Sequence, residues 1–243
     1  MGKRSTIRLL GVLTGAVVAV TFLATVTGVS YLLVGPQFFH GPLKGNDEAH
    51  ALTYVTWIAR HLPDVPKWFP LQGGGISFVD GYPIGAHIVV VLLHNISQMS
   101  LNTALRLVEF ASIPFTAFGV YVFTLHMLKR RSLAVLAGLF YPLSAISWNW
   151  ITRGGFLAQG LSIAFVPWTL LFLDLYTESG GEGSPKAHRL RRRLHLLGAL
   201  FSFSAAMLTH FITGVVLLGV APLLAACRFL LERGNDPMHL ALA

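Results

Sequence analysis

The segment IGAHIVVVLLHNI, residues 84–96, decides the topology of this chain. It is apolar enough to enter a membrane, yet shorter than the roughly 20 residues a helix needs to cross a hydrocarbon core. If it crossed, everything after it would be inverted. Lys129–Arg131 and the KAHRLRRR run, residues 186–193, would then face away from the basic N-terminus (Lys3, Arg4, Arg8). If it does not cross, five of the 18 Lys and Arg residues lie outside (Lys44, Arg60, Lys67, Arg106 and Arg153) and the other 13 lie inside. Basic residues near the ends of spans favour the cytoplasmic side. The second arrangement is therefore expected, with 84–96 as an interfacial or re-entrant helix.

The composition agrees with a membrane environment. The chain is 54% hydrophobic and only 12% charged, with a mean hydropathy of +0.65; soluble domains carry about twice that charged share. The expected fold class is all-α: a polytopic membrane protein with about six transmembrane helices. The spans read as Leu9–Val34, Thr103–Leu128, Leu133–Trp150, Leu157–Tyr176, Leu196–Phe211 and Thr213–Leu231. Both termini fall in the cytoplasm, and the cell (plasma) membrane is the expected location. The uncharged run from Leu9 to Val34 is too long for the apolar core of a cleaved signal. Residues 1–243 form one membrane domain, with an extracytoplasmic loop at 35–102 and a basic cytoplasmic loop at 177–194. The net charge of +8 sets orientation and does not call for a nucleic-acid partner. Cys227 is the single cysteine, which leaves no disulfide framework and no cysteine-based metal site.

The long loop is more than a linker. GNDEAHALTYVTWIARHL, residues 45–62, reads as an amphipathic helix. Asn46 suits its N-cap, and Asp47 and Glu48 complement the positive end of its dipole. His50, Tyr54, Trp57 and His61 share one face, beside an apolar stripe of Ala51, Val55, Ile58 and Leu62. The turn-rich PDVPKWFPLQGGGISFVDGYP, residues 63–83, follows, with Gly73–Gly75 as a flexible turn. His87 and His94, seven residues apart, are expected on the wet side of the short helix. Arg106 and Glu109 are spaced for an i, i+3 ion pair.

A spanning helix, an acidic pair opening an amphipathic helix, and then W-F-P…G-G…Y-P before a short apolar helix resemble the GT-C class of membrane glycosyltransferases. The nearest branch is the polytopic proteins labelled 6-pyruvoyl-tetrahydropterin synthase-related. Residues 102–131 and 132–150 are similar to the paired helices that follow the first loop in that class. The resemblance implies transfer of a sugar from a polyprenyl-phosphate carrier to an acceptor at the outer membrane face. Members of that class usually continue with more spans, so the chain is expected to be the N-terminal part of a longer protein, a degenerate relative, or one subunit of an assembly. Asp47 and Glu48 would be the catalytic pair, Asp47 as general base, and together would hold a divalent cation, Mg or Mn. Arg153 would meet the lipid phosphate, and His50, Asp80 and Tyr82 are further substrate-binding candidates. Expected partners are the polyprenyl-phosphate-linked sugar and membrane lipid. The alternative is a non-enzymatic membrane scaffold or transport-related subunit that binds lipid or a partner through its first loop.

Overall fold

The computed structural model describes residues 3–43, 45–78, 81–144, 147, 157–178 and 185–234. They are predominantly helical: α1 Lys3–His40, α2 Gly45–His61, α3 Gly85–Ser97, α4 Leu101–Leu128, α5 Arg131–Leu143, α6 Leu157–Glu178, α7 Pro185–Thr209 and α8 Phe211–Gly234. A two-stranded antiparallel hairpin, β1 Trp68–Phe69 with β2 Ile76–Ser77, sits between α2 and α3, in the register Trp68 to Ser77 and Phe69 to Ile76.

Three helices among the described residues are long and apolar enough to cross a membrane: Leu13–Pro36, Leu101–Leu128 and Leu157–Glu178. The first leaves Val17, Val20 and Leu32 64%, 68% and 81% exposed, an apolar surface that water does not tolerate and lipid does. These helices fit a membrane protein. Arg131–Leu143 and Phe211–Cys227 are apolar but shorter. The expected spans differ in detail. Helix α1 continues past Val34 through Pro36 to His40. The basic run at 186–193 is helical from Pro185 on, because proline suits a first helical position and Arg and Leu are good helix formers.

The helices pack with a consistent polarity. Phe22 of α1 stacks on Tyr121 of α4, with ring centroids 4.4 Å apart, and Gly138 of α5 lets these helices close up. A Cβ there would meet Phe22 at 2.5 Å and the Ala117 carbonyl at 2.9 Å. One end of the bundle gathers the C-terminus of α1, helices α2 and α3, the hairpin, the starts of α4 and α6, and the α7–α8 junction. At the other end, His126 near the end of α4 meets Asp174 of α6. There His195 of α7 meets the Leu175 carbonyl, and Arg192 lies over the Tyr176 ring. The Lys129–Arg131 turn and the basic start of α7 therefore share that second end.

The first loop folds as a core of its own. Ala51, Val55 and Ile58 of α2 pack with Phe69 and Phe78 of the hairpin region, Val90 and Val91 of α3, and Leu105 of α4. Gly73, Gly74 and Gly75 turn the hairpin at φ of +52°, +89° and +107°, which side chains with a Cβ rarely adopt. Gly75 also lies under the Trp68 ring, where a Cβ would come within 2.2 Å.

Arg106 joins this loop core to the bundle. Its Nη1 donates to the carbonyls of Phe38 (2.7 Å), Phe39 (3.2 Å) and Gly41 (2.8 Å), and its Nε donates to Glu48 Oε1 at 3.0 Å. The Phe38 and Phe39 carbonyls belong to the last turn of α1, which has no helical partners of its own for them, and Gly41 follows directly after it. The carboxylate sits in the first turn of α2. One ion pair thus complements the negative end of one helix dipole and the positive end of the next. The expected Arg106–Glu109 pair does not form, because the guanidinium is engaged across the chain. Glu109 is buried, and neither of its carboxylate oxygens has a hydrogen-bond partner.

Both side chains of the Arg106–Glu48 pair are essentially buried, at 5% and 1% exposure. Removing one partner strands a buried charge, which costs about 3–5 kcal/mol. Arg106→Ala is expected to lower thermal stability in detergent by that order, and the double variant Arg106→Met with Glu48→Leu to recover part of the loss. A single variant that melts with wild type would show the clamp to be unimportant.

Candidate functional site

A cavity of about 440 Å³ opens at the loop-bearing end of the bundle. Helix α2 contributes Asp47, His50 and Tyr54, and the hairpin turn contributes Gln72. Tyr82 and Pro83 lead into α3, which places His87 at the wall. Gln159 at the start of α6 and His210 at the α7–α8 junction complete the polar lining.

Each side chain is held there by local structure. Asp47 and Glu48 are consecutive on a helix and so point about 100° apart. Glu48 turns into the core toward Arg106, which leaves Asp47 turned to the cavity. Tyr54 lies one turn after His50, with the two rings 6.5 Å apart, and donates its hydroxyl to Gln72 Oε1. Helix α3 rests closely on the end of α7, where a Cβ on Gly85 would meet the Leu208 carbonyl at 2.6 Å. That contact brings His87 and His210 to the same cavity. His210 separates α7 from α8; its backbone N–H donates to Ala206 O at 2.9 Å, and its Nδ1 meets Thr213 Oγ1 at 2.9 Å.

Burial keeps most of this lining neutral. It pushes the Tyr82 phenol up to about 12, with Tyr54 and then Asp47 adding to the effect. It raises the Tyr54 phenol as well, against the hydrogen bond to Gln72 and with a further push from Asp47. Burial lowers the His87 imidazole to about 4. Among the described residues, Asp47 is the one carboxylate in the lining, and no lysine or arginine joins it.

The expected site residues divide accordingly. Asp47, His50 and Tyr82 line one cavity. Glu48 is fully buried against Arg106, so the Asp47–Glu48 pair does not converge and does not fit a divalent cation. Asp80 and Arg153 lie outside the described residues. Trp57 and His61, expected on the face of His50 and Tyr54, instead pack on each other at 4.1 Å, away from the cavity. Gln72, His87, Gln159 and His210 are additions. Helical spacing grouped His87 with His94 on a wet face, whereas His87 is buried beside Ala86, Val90 and Val91, packed against the Tyr54 and Tyr82 rings. Its Nδ1 has no hydrogen-bond partner.

A second cavity of about 500 Å³ adjoins the first and shares Gln159, His210 and Ile212 with it. Its walls are almost wholly apolar: Val120 and Phe123 of α4, Ile163, Val166 and Leu170 of α6, and Val216 of α8. Polar and apolar chambers thus meet at the Gln159–His210 seam. Comparison of the chain with protein-family models, with curated proteins and with solved structures finds no match.

The depressed His87 value sets a pH dependence. Between about 4 and the ordinary value of 6.5 the unfolded chain binds a proton at this position and the folded chain does not. Its contribution to stability is therefore full above pH 6.5 and is lost progressively as pH falls from there toward 4. Melting at pH 7.5 and pH 5 is expected to show a smaller drop for His87→Leu than for wild type; an equal drop would contradict the neutral, buried assignment.

Proposed function

We propose that this chain is a GT-C-like membrane glycosyltransferase that transfers a sugar from a polyprenyl-phosphate carrier to an acceptor hydroxyl at the outer membrane face. One observation carries the reading: a polar chamber whose one carboxylate among the described residues is Asp47 adjoins an apolar chamber between helices α4, α6 and α8. A lipid-linked sugar has the same division, a polar head on a long hydrocarbon. Ligand sites commonly combine mostly apolar walls with a few convergent polar groups.

The topology that goes with this reading has about six crossings and both termini in the cytoplasm. The bundle end with the Lys129–Arg131 turn and the basic start of α7 is placed inside by the positive-inside rule. The loop core and the Asp47 chamber then face outward, with α3 lying at the interface.

In the proposed reaction the acceptor oxygen attacks the anomeric carbon as Asp47 takes its proton. The bond from that carbon to the phosphate oxygen breaks, and the phosphate leaves on its lipid. The Tyr82 phenol, kept protonated by burial, is available to donate a hydrogen bond to the sugar or phosphate. Arg153 is the proposed phosphate contact, since a guanidinium matches two phosphate oxygens. Glu48 has an indirect part: held by Arg106, it fixes the direction of Asp47.

The test is sugar transfer in proteoliposomes supplied with a polyprenyl-phosphate sugar. Asp47→Asn keeps the shape and removes the base, so the rate is expected to fall by on the order of a hundred-fold or more, with folding unchanged. Val120→Trp, which fills the apolar chamber, is expected to raise KM for the lipid donor with little change in kcat. Full activity of Asp47→Asn would falsify the base role and favour a lipid-binding scaffold.

A further inference from the structure

The bundle end opposite the Asp47 chamber holds a second cluster of reactive side chains. Asp174 and Glu178 stand one turn apart near the end of α6, and His126 faces them from the last turn of α4. His126 Nε2 lies 2.7 Å from Asp174 Oδ2 and 3.4 Å from Glu178 Oε2. All three ligand atoms fall within 4.8 Å of one another. The cluster is roughly 22 Å along α6 from Gln159, taking 1.5 Å per residue, so it belongs to no part of the chamber already described.

The spacing can be compared with what a metal needs. Around a tetrahedral ion with ligands at about 2.0–2.1 Å, neighbouring ligand atoms are about 3.3 Å apart. The His126–Glu178 separation already matches, and the His126–Asp174 contact has to open by about 0.6 Å, a small side-chain adjustment. Helix polarity supplies an independent reason for a cation. Both carboxylates sit at the C-terminal end of α6 and His126 at that of α4, where each dipole is negative and carboxylates are disfavoured. Burial is graded, with Asp174 side chain 2% exposed, His126 12% and Glu178 37%. That gives a buried anchor and an open rim through which an ion can enter and keep a water ligand. Lys129 Nζ lies 3.4 Å from His126 Nδ1, on the ring nitrogen away from the carboxylates, and its exposed side chain is free to swing aside.

We propose that His126, Asp174 and Glu178 form a binding site for a zinc-class divalent ion that ties α4 to α6 at this end of the bundle. The imidazole is the ligand that favours ions of this class, with the two carboxylates supplying charge. Magnesium and calcium, which take oxygen ligands, are poorly served. The first effect is structural: an ion held between two helices stabilises the folded form by mass action.

The experiment uses the untagged full chain, purified in detergent and stripped of metal with a chelator. Zinc is titrated against a chromophoric competitor, and cobalt serves as the spectroscopic probe of tetrahedral nitrogen and oxygen ligation. One equivalent is expected to bind at micromolar affinity or better and to raise the melting temperature, with magnesium inactive. Glu178→Gln, at the exposed rim, should fold as wild type does and weaken zinc binding by on the order of ten-fold or more. His126→Ala should abolish both the binding and the cobalt spectrum. Failure of the wild type to bind zinc below millimolar concentration overturns the proposal. So does zinc binding that both variants leave unchanged, which would report another histidine site.

Discussion

The structure depends on where a single buried guanidinium finds its acceptors. Arg106 is nearly inaccessible, and a charge in that position is tolerable only if it is fully engaged. It takes three carbonyls at and just past the end of α1 and a carboxylate in the first turn of α2. The turn between those helices is thereby fixed against α4. With Glu48 held inward, helix geometry alone turns Asp47 toward the cavity, and the amphipathic helix acquires a defined register on the bundle.

That register determines what the loop can do. The apolar stripe of α2 packs with the hairpin and α3, so the loop is a folded layer over the starts of α4 and α6. The cavity lies on one side of this layer, where α2 and α3 meet the α7–α8 junction. Its lining holds protonated phenols and the neutral His87 imidazole around the one carboxylate among the described residues, and its neighbour is a hydrocarbon-lined chamber. A wholly water-soluble substrate would leave the second chamber unused. A simple lipid would leave the first unused. The combination supports the proposed lipid-linked substrate.

Much of this was legible in the residues, and the rest was hidden for identifiable reasons. The helical class, the amphipathic α2 with its acidic first turn, and the glycine turn all follow from local pattern. The partner of Glu48 does not, because it lies 58 positions away and no local rule reaches across the hairpin and α3. Glu109, three positions from Arg106, offered a nearer partner that the fold passes over. His87 was misplaced because a period of seven groups it with His94, whereas Ala86, Val90 and Val91 around it form the buried stripe. The basic start of α7 falls between two expected spans and so reads as a loop, although its arginines and leucines favour a helix. Arg131–Leu143 is apolar but shorter than the three helices long enough to cross a membrane.

Position 47 offers the most direct test of the account. With Cys227 replaced by Ser and Asp47 by Cys, a membrane-impermeant thiol reagent is applied to intact cells that express the chain. The thiol is expected to react from outside, and added polyprenyl phosphate is expected to slow the reaction by occupying the paired chambers. Labelling that needs a permeabilised membrane, or that the lipid phosphate leaves unchanged, would contradict an outward chamber built for a lipid-linked donor.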